Sequence, residues 1–221
     1  MKIIDHTHPV YREKWKRLKA TRYNGAFYYS KEIVKYIIPN VKTHRNWITL
    51  NIPGAGISHA IVFIHNNLHP DHYDWLNQYS DLVLVCGLEE TCEKVAHLGT
   101  PIYLPLSVDV KYVEQFKIDP SEKRGTAYVG RASKIKLANI DLPFNIDVLS
   151  GMRREQLLPK VARYEKVYAG GRSAIEARIL GCEILPYDKR FPDPSIWRVV
   201  DSLEAAKMLQ EKLDEIDKIS E

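Results

Sequence analysis

Two stretches, Ala60-Ile-Val-Phe-Ile64 and Leu82-Val-Leu-Val-Cys86, constrain the fold of this chain more than any other feature, because each is apolar at every position. A strand with one face in water alternates apolar and polar residues, whereas a strand buried on both faces need not. Strands of that kind belong in a parallel sheet with helices covering it, and parallel neighbours require crossover connections long enough to hold a helix. The chain provides such a rhythm. Strand-like runs at 47–50, 60–64, 82–86 and 102–104 alternate with helical stretches at 71–79 and 89–98. After a connection at 105–121 the rhythm restarts, with strands at 126–129, 144–149, 165–169 and 184–186 and helices at 153–162 and after Gly171. A charged amphipathic helix spans 202–219. Ahead of the first series come an amphipathic helix at 9–20, a strand at 25–29, and a helix that Ser30 caps and Pro39 stops. This order predicts an α/β protein of two small Rossmann-like domains facing a cleft. The first would cover residues 1–105 and the second 106–221, with the terminal helix packing back.

Within the second series one segment carries chemistry: Ala169-Gly-Gly-Arg-Ser-Ala-Ile-Glu-Ala-Arg-Ile-Leu-Gly181. It reads as a strand end, a glycine turn and a helix. A helix start presents backbone N–H groups without intrahelical acceptors, and the helix dipole there favours an anion. Gly171, Arg172 and Ser173 fall where phosphate oxygens would be met. Glu176 lies about one turn further in, where a carboxylate can accept from ribose hydroxyls. The combination reads as a site for a nucleotide diphosphate. Arg131 ends the strand at 126–129, at the carboxyl edge where open α/β sheets bind ligands. Lys134 and Lys136 follow it closely.

The first half holds Ile64-His-Asn-Asn-Leu-His-Pro-Asp-His72 after a buried-type strand. His65 stands at the carboxyl end of that strand. An imidazole titrating near neutrality suits deprotonation of a hydroxyl nucleophile. Asp71 is the alternative base. His65, His69 and His72 do not read as a metal site, because Pro70 starts the following helix and leaves His69 ahead of it. Upstream, Lys14, Lys16, Arg17 and Lys19 crowd one helical stretch beside Tyr11 and Trp15. They form either a solvated face over inward aromatics or a platform for an anionic acceptor such as DNA.

In the second half, Leu104-Pro-Leu-Ser-Val-Asp109, Tyr128-Val-Gly-Arg131 and Gly170-Gly-Arg-Ser-Ala-Ile-Glu-Ala177 occur in that order. Together they resemble the donor-binding half of GT-B glycosyltransferases. The specific part of the resemblance covers residues 104–188. It implies that Arg131, Lys134 or Lys136 contacts the donor diphosphate, that Gly171, Arg172 and Ser173 form the phosphate-facing turn, and that Glu176 holds the ribose. Retaining members of the family carry a second glutamate eight residues earlier; this chain has Tyr168 there. The implied activity is metal-independent transfer of a sugar from a nucleotide-sugar to an acceptor hydroxyl, with no cofactor beyond that co-substrate. The acceptor would be a modified DNA base, as in the phage base glucosyltransferases, or a surface glycan. Two alternatives are a non-hydrolysing nucleotide-sugar epimerase and a nucleotide-binding protein without catalysis.

Composition bounds these readings. Net charge is +4, from 32 basic and 28 acidic residues, which suits an anionic ligand without requiring nucleic acid. No apolar run approaches the roughly 20 residues of a membrane helix. The first eight residues show no apolar signal-peptide core. The three cysteines, Cys86, Cys92 and Cys182, are spaced unlike a zinc site and read as free thiols of a cytoplasmic protein.

Overall fold

The computed structural model describes residues 2–4, 25–45, 47–50, 58–64, 74–132 and 142–220. The chain is α/β, and every strand pairing in its two sheets is parallel. It divides into two compact units, neither of them one continuous stretch. Unit 1 comprises 1–21, 30–105 and 202–221, and unit 2 comprises 22–29 and 106–201.

Unit 1 is built on a five-stranded sheet. Its strands are β1 (Lys2–Ile4), β2 (Trp47–Leu50), β3 (Ala60–Ile64), β4 (Leu82–Cys86) and β5 (Thr100–Tyr103), in that spatial order. The two all-apolar runs become β3 and β4, paired from Ala60 with Leu82 to Ile64 with Cys86. Every residue of both strands is buried, so the absence of alternation in the sequence has the cause inferred for it. Leu76, Val95 and Leu98 pack with them in one apolar cluster. β1 was not anticipated, since its three residues, Lys-Ile-Ile, are too short to display a period.

The expected strand at 25–29 is instead helical. α1 (Gly25–Glu32) runs directly into a π-helical stretch (Ile33–Ile37) and a 3₁₀ turn (Ile38–Asn40). Aromatic residues favour strands by type. Here, however, Tyr29, Ile33 and Ile37 recur every fourth residue and all three are buried, which is a helical period. Pro39 lies in the closing 3₁₀ turn, as a helix stop. The expected helix at 71–79 is a 3₁₀ helix (Asp74–Gln78) over its described part. α2 (Glu89–Val95) connects β4 to β5.

Unit 2 carries a four-stranded sheet. In chain order its strands are β6 (Thr126–Val129), β7 (Asp147–Leu149), β8 (Lys166–Tyr168) and β9 (Glu183–Leu185), and their spatial order is β7-β6-β8-β9. Residues 144 and 145 are a turn leading into β7 and not part of the strand, with Asn145 at φ 70°. Among the described residues, α3 (Val110–Glu114), α4 (Arg154–Val161) and α5 (Arg172–Ile179) lie in this unit. The Asp109 side chain caps α3 by accepting from the Tyr112 N–H at 3.0 Å.

The last helix, α6 (Ser202–Ser220), groups with unit 1 and not with residues 106–201. Its buried stripe of Ala205, Ala206, Leu209 and Leu213 has helical spacing. It packs on the π-helical stretch and the 3₁₀ turn that follow α1. Polar contacts fix its register: Gln210 Nε2 donates to Lys42 O at 3.1 Å, and Lys42 N–H donates back to Gln210 Oε1 at 2.6 Å. Among the described residues no helix is long and apolar enough to cross a membrane.

The two sheets differ in a way that bears on ligand binding. Strand order in unit 1 runs in sequence without reversal among the described strands. In unit 2 the chain leaves β6 to one side for β7 and returns to the other side for β8. Reversal of strand order opens a crevice at the carboxyl ends of the two diverging strands. Unit 2 has such a switch point between β6 and β8.

Candidate functional site

The carboxyl end of β6 leads into Gly130 and Arg131, and that of β8 into Ala169, Gly170 and Gly171. The glycine turn and Arg131, read separately from the sequence, thus flank the same switch point. Arg131 is exposed, and its carbonyl accepts from the Tyr128 hydroxyl at 3.1 Å.

The two glycines of the turn do different things. Gly171 is the residue preceding the first turn of α5, at φ 58° and ψ −139°, a conformation that L side chains resist. Gly170 has no such backbone need. A Cβ at that position would overlap the Tyr187 ring. Tyr187 meets Tyr128 edge-on, with centroids 5.6 Å apart. Gly130 is similarly filled, because a Cβ there would lie 2.6 Å from the Tyr128 hydroxyl oxygen. Gly170 is therefore explained by packing against an aromatic pair.

Arg172 opens α5 and Glu176 follows one turn later, both buried. Arg172 Nε donates to Glu176 Oε1 at 3.0 Å, and its Nη1 donates to Ser107 O at 3.2 Å. A second arginine reaches the same oxygen: Arg154 Nε lies 2.9 Å from Glu176 Oε1. Arg154 is the first residue of α4, so two consecutive helices start with a buried arginine. The Arg154 guanidinium also sits over the Tyr112 ring, 4.8 Å from its centroid, and 5.8 Å from that of Tyr28. The Arg154 N–H donates to the Tyr28 hydroxyl at 3.0 Å. Burial pushes both phenols, Tyr28 and Tyr112, above the ordinary tyrosine range, so both are neutral, un-ionised walls at neutral pH.

Tyr28, Met152, Arg154, Leu157, Arg172, Ser173 and Glu176 line one recess of unit 2. The space within it is about 30 Å³, room for a water or two and far less than a whole nucleotide needs. The side chains around it carry two positive charges and one negative, and the positive ends of two helix dipoles add to them. The arrangement can hold an oxyanion or the edge of a ribose, with the remainder of a ligand lying outside over the sheet's carboxyl edge.

The structure thus brings Gly171, Arg172, Ser173 and Glu176 to one place. Lys134, Lys136, His65, Asp71, Lys14, Lys16, Arg17 and Lys19 lie outside the described residues. Arg154, Tyr28 and Tyr112 were not anticipated. Arg154 had a legible signal, since a basic residue in the first turn of a helix opposes the dipole and needs a reason to be there. Tyr28 had none, because it is 126 positions from its partner. Among the described residues no group of three His, Cys, Asp or Glu side chains converges as metal ligands. No protein-family model matches the chain, no curated protein matches its sequence, and no solved structure matches its fold.

Proposed function

We propose that this protein is a glycosyltransferase that uses a nucleotide-sugar donor, with the donor bound by unit 2 in a two-domain arrangement of GT-B type. One observation carries the reading. Glu176 is pinned by two buried arginines beside a helix start, at the switch point of a parallel sheet. Both ion pairs engage Oε1, and Oε2 accepts from a ribose hydroxyl. The N–H groups at the start of α5, Ser173 and the exposed Arg131 receive the diphosphate. As the glycosidic bond breaks, negative charge grows on the leaving diphosphate, and these fixed donors and cations stabilise it. A base, His65 or Asp71, takes the proton of the acceptor hydroxyl while its oxygen bonds to the anomeric carbon. Lys134 or Lys136 joins the phosphate contacts. Lys14, Lys16, Arg17 and Lys19 supply cations for a polyanionic acceptor such as DNA; a surface glycan is the other acceptor class.

The test is calorimetric titration of the full chain with UDP-, GDP- and dTDP-hexoses, followed by turnover with labelled donor. Binding of one donor class, weakened by Arg131→Ala and abolished by Glu176→Gln in protein that still folds, supports the reading. If no donor is bound, hydrolysed or transferred, the reading fails.

A further inference from the structure

Unit 1 holds a pair of histidines that the donor site does not use. His59 stands immediately before β3, and Asp81 immediately before β4, at the amino edge of the five-stranded sheet. Backbone bonds hold the two together there: His59 N–H donates to Ser80 O at 3.0 Å, and Ala60 N–H donates to Asp81 O at 3.2 Å. Their side chains are hydrogen-bonded through His59 Nδ1 and Asp81 Oδ2. Asp81 is fixed in turn by the buried Arg45, whose Nη1 donates to Asp81 Oδ1 at 2.8 Å. The second histidine, His44, lies on the segment leading to β2. Its Nδ1 is 3.3 Å from Asp217 Oδ2, in the last turns of α6. The His44 and His59 rings are neighbours, with centroids 5.1 Å apart and planes tilted by 42°.

We propose that His44 and His59 together bind one Zn²⁺ ion through their Nε2 atoms. Each ring has its Nδ1 against a carboxylate, Asp217 for His44 and Asp81 for His59. That contact places the ring proton on Nδ1 and leaves the lone pair on Nε2, the form in which imidazole ligates a metal. A carboxylate behind the ring is the usual support of a metal-bound histidine, and here two rings so supported are in contact. The spacing agrees. Two imidazoles bound to one tetrahedral zinc at about 2.1 Å bring their ring centroids to about 5 Å. Imidazole nitrogen suits zinc, whereas magnesium and calcium take oxygen ligands. His44 is exposed and His59 partly so, which leaves the ion a path of entry. Among the described residues no third His, Cys, Asp or Glu converges with them, so water completes the coordination. The ion would clip the segment before β2 to the start of β3, and through Asp217 to the end of α6.

The experiment is calorimetric titration of the full chain, free of any affinity tag, with zinc chloride and separately with magnesium chloride. The expected result is one zinc bound at this site and no response to magnesium. His44→Ala should remove that zinc. His59→Asn should do the same, with asparagine chosen because it tolerates the φ of 60° at that position. Asp217→Asn keeps both ligands and should weaken binding by at least about tenfold, the effect of losing a support behind a ligating ring. Labelling with diethyl pyrocarbonate, read by peptide mass, locates the ion. Zinc should protect His44 and His59 and leave the exposed His97 reactive. Zinc should also raise the urea midpoint of the unmodified chain and leave that of His44→Ala unchanged. His44 sits at an exposed position, so its variant decides the matter even if His59→Asn does not fold. No zinc uptake, a zinc stoichiometry unchanged by His44→Ala, or protection of other histidines without these two would each overturn the proposal.

Discussion

Glu176 is one carboxylate between two guanidiniums, all three at least nine-tenths buried. Removing one member of such a group strands the others without compensation, which costs about 3–5 kcal/mol. Glu176→Ala should therefore lower the unfolding free energy by about that amount in urea titration. Its loss of donor binding alone would say little about contact with the ligand. Arg131 separates the two effects. Its side chain is exposed at the strand end, so Arg131→Ala should leave the urea midpoint unchanged. It should still weaken donor binding about tenfold, the value of one charge-assisted hydrogen bond of about 1.5 kcal/mol. The acidic partner of the triad was legible, since Glu176 and Arg172 share a helix at i, i+4 spacing. Arg154 and the tyrosines over it were not, because chain distance hides which helix starts will converge.

At the scale of elements, continuous apolar runs proved the most readable signal, because burial on both faces leaves no room for alternation. β3 and β4 follow directly from it, and the turn before α5 follows from its two glycines. Residues 25–29 show where reading by type breaks down. Aromatic residues favour strands in general, yet the period of Tyr29, Ile33 and Ile37 belongs to a helix, and only a window longer than five residues reveals it. The two glycines before α5 make separable predictions. Gly171→Ala forces an L side chain into a left-handed conformation and should cost about 1–3 kcal/mol whatever surrounds it. Gly170→Ala should cost about 1–3 kcal/mol through overlap with the Tyr187 ring. That second cost should shrink when Tyr187→Leu removes the ring, while the first should not. A double-mutant cycle in urea reads the difference directly. A Gly170 penalty unaffected by Tyr187→Leu would contradict the packing account of that glycine.

For the whole molecule, a set of tyrosines links stability to alkaline pH. Burial pushes Tyr164 up to about 12, with the 2.7 Å hydrogen bond to Asp147 adding to it. Tyr28, Tyr112, Tyr128 and Tyr187 are raised as well, each chiefly by burial. A phenol whose proton is held more tightly in the folded chain contributes stability that is complete below the ordinary value of 10.0. That contribution is lost as pH rises through the folded value. Phenolate absorbance should therefore show these five tyrosines ionising at higher pH in the folded protein than in denaturant. They should titrate normally in denaturant, and unfolding should become easier above about pH 10. Identical phenolate titration curves for the folded and the denatured protein would contradict the described packing. A different consequence follows from the way the chain shares itself between units. The five strands of unit 1 all lie before residue 105, but the stripe that covers Ile33 and Ile37 lies on α6, beyond residue 201. A ribosome releases the sheet of unit 1 long before that cover exists. The first unit begun is thus the last completed, and throughout synthesis of residues 106–201 its apolar seam is exposed to chaperones and to neighbouring nascent chains.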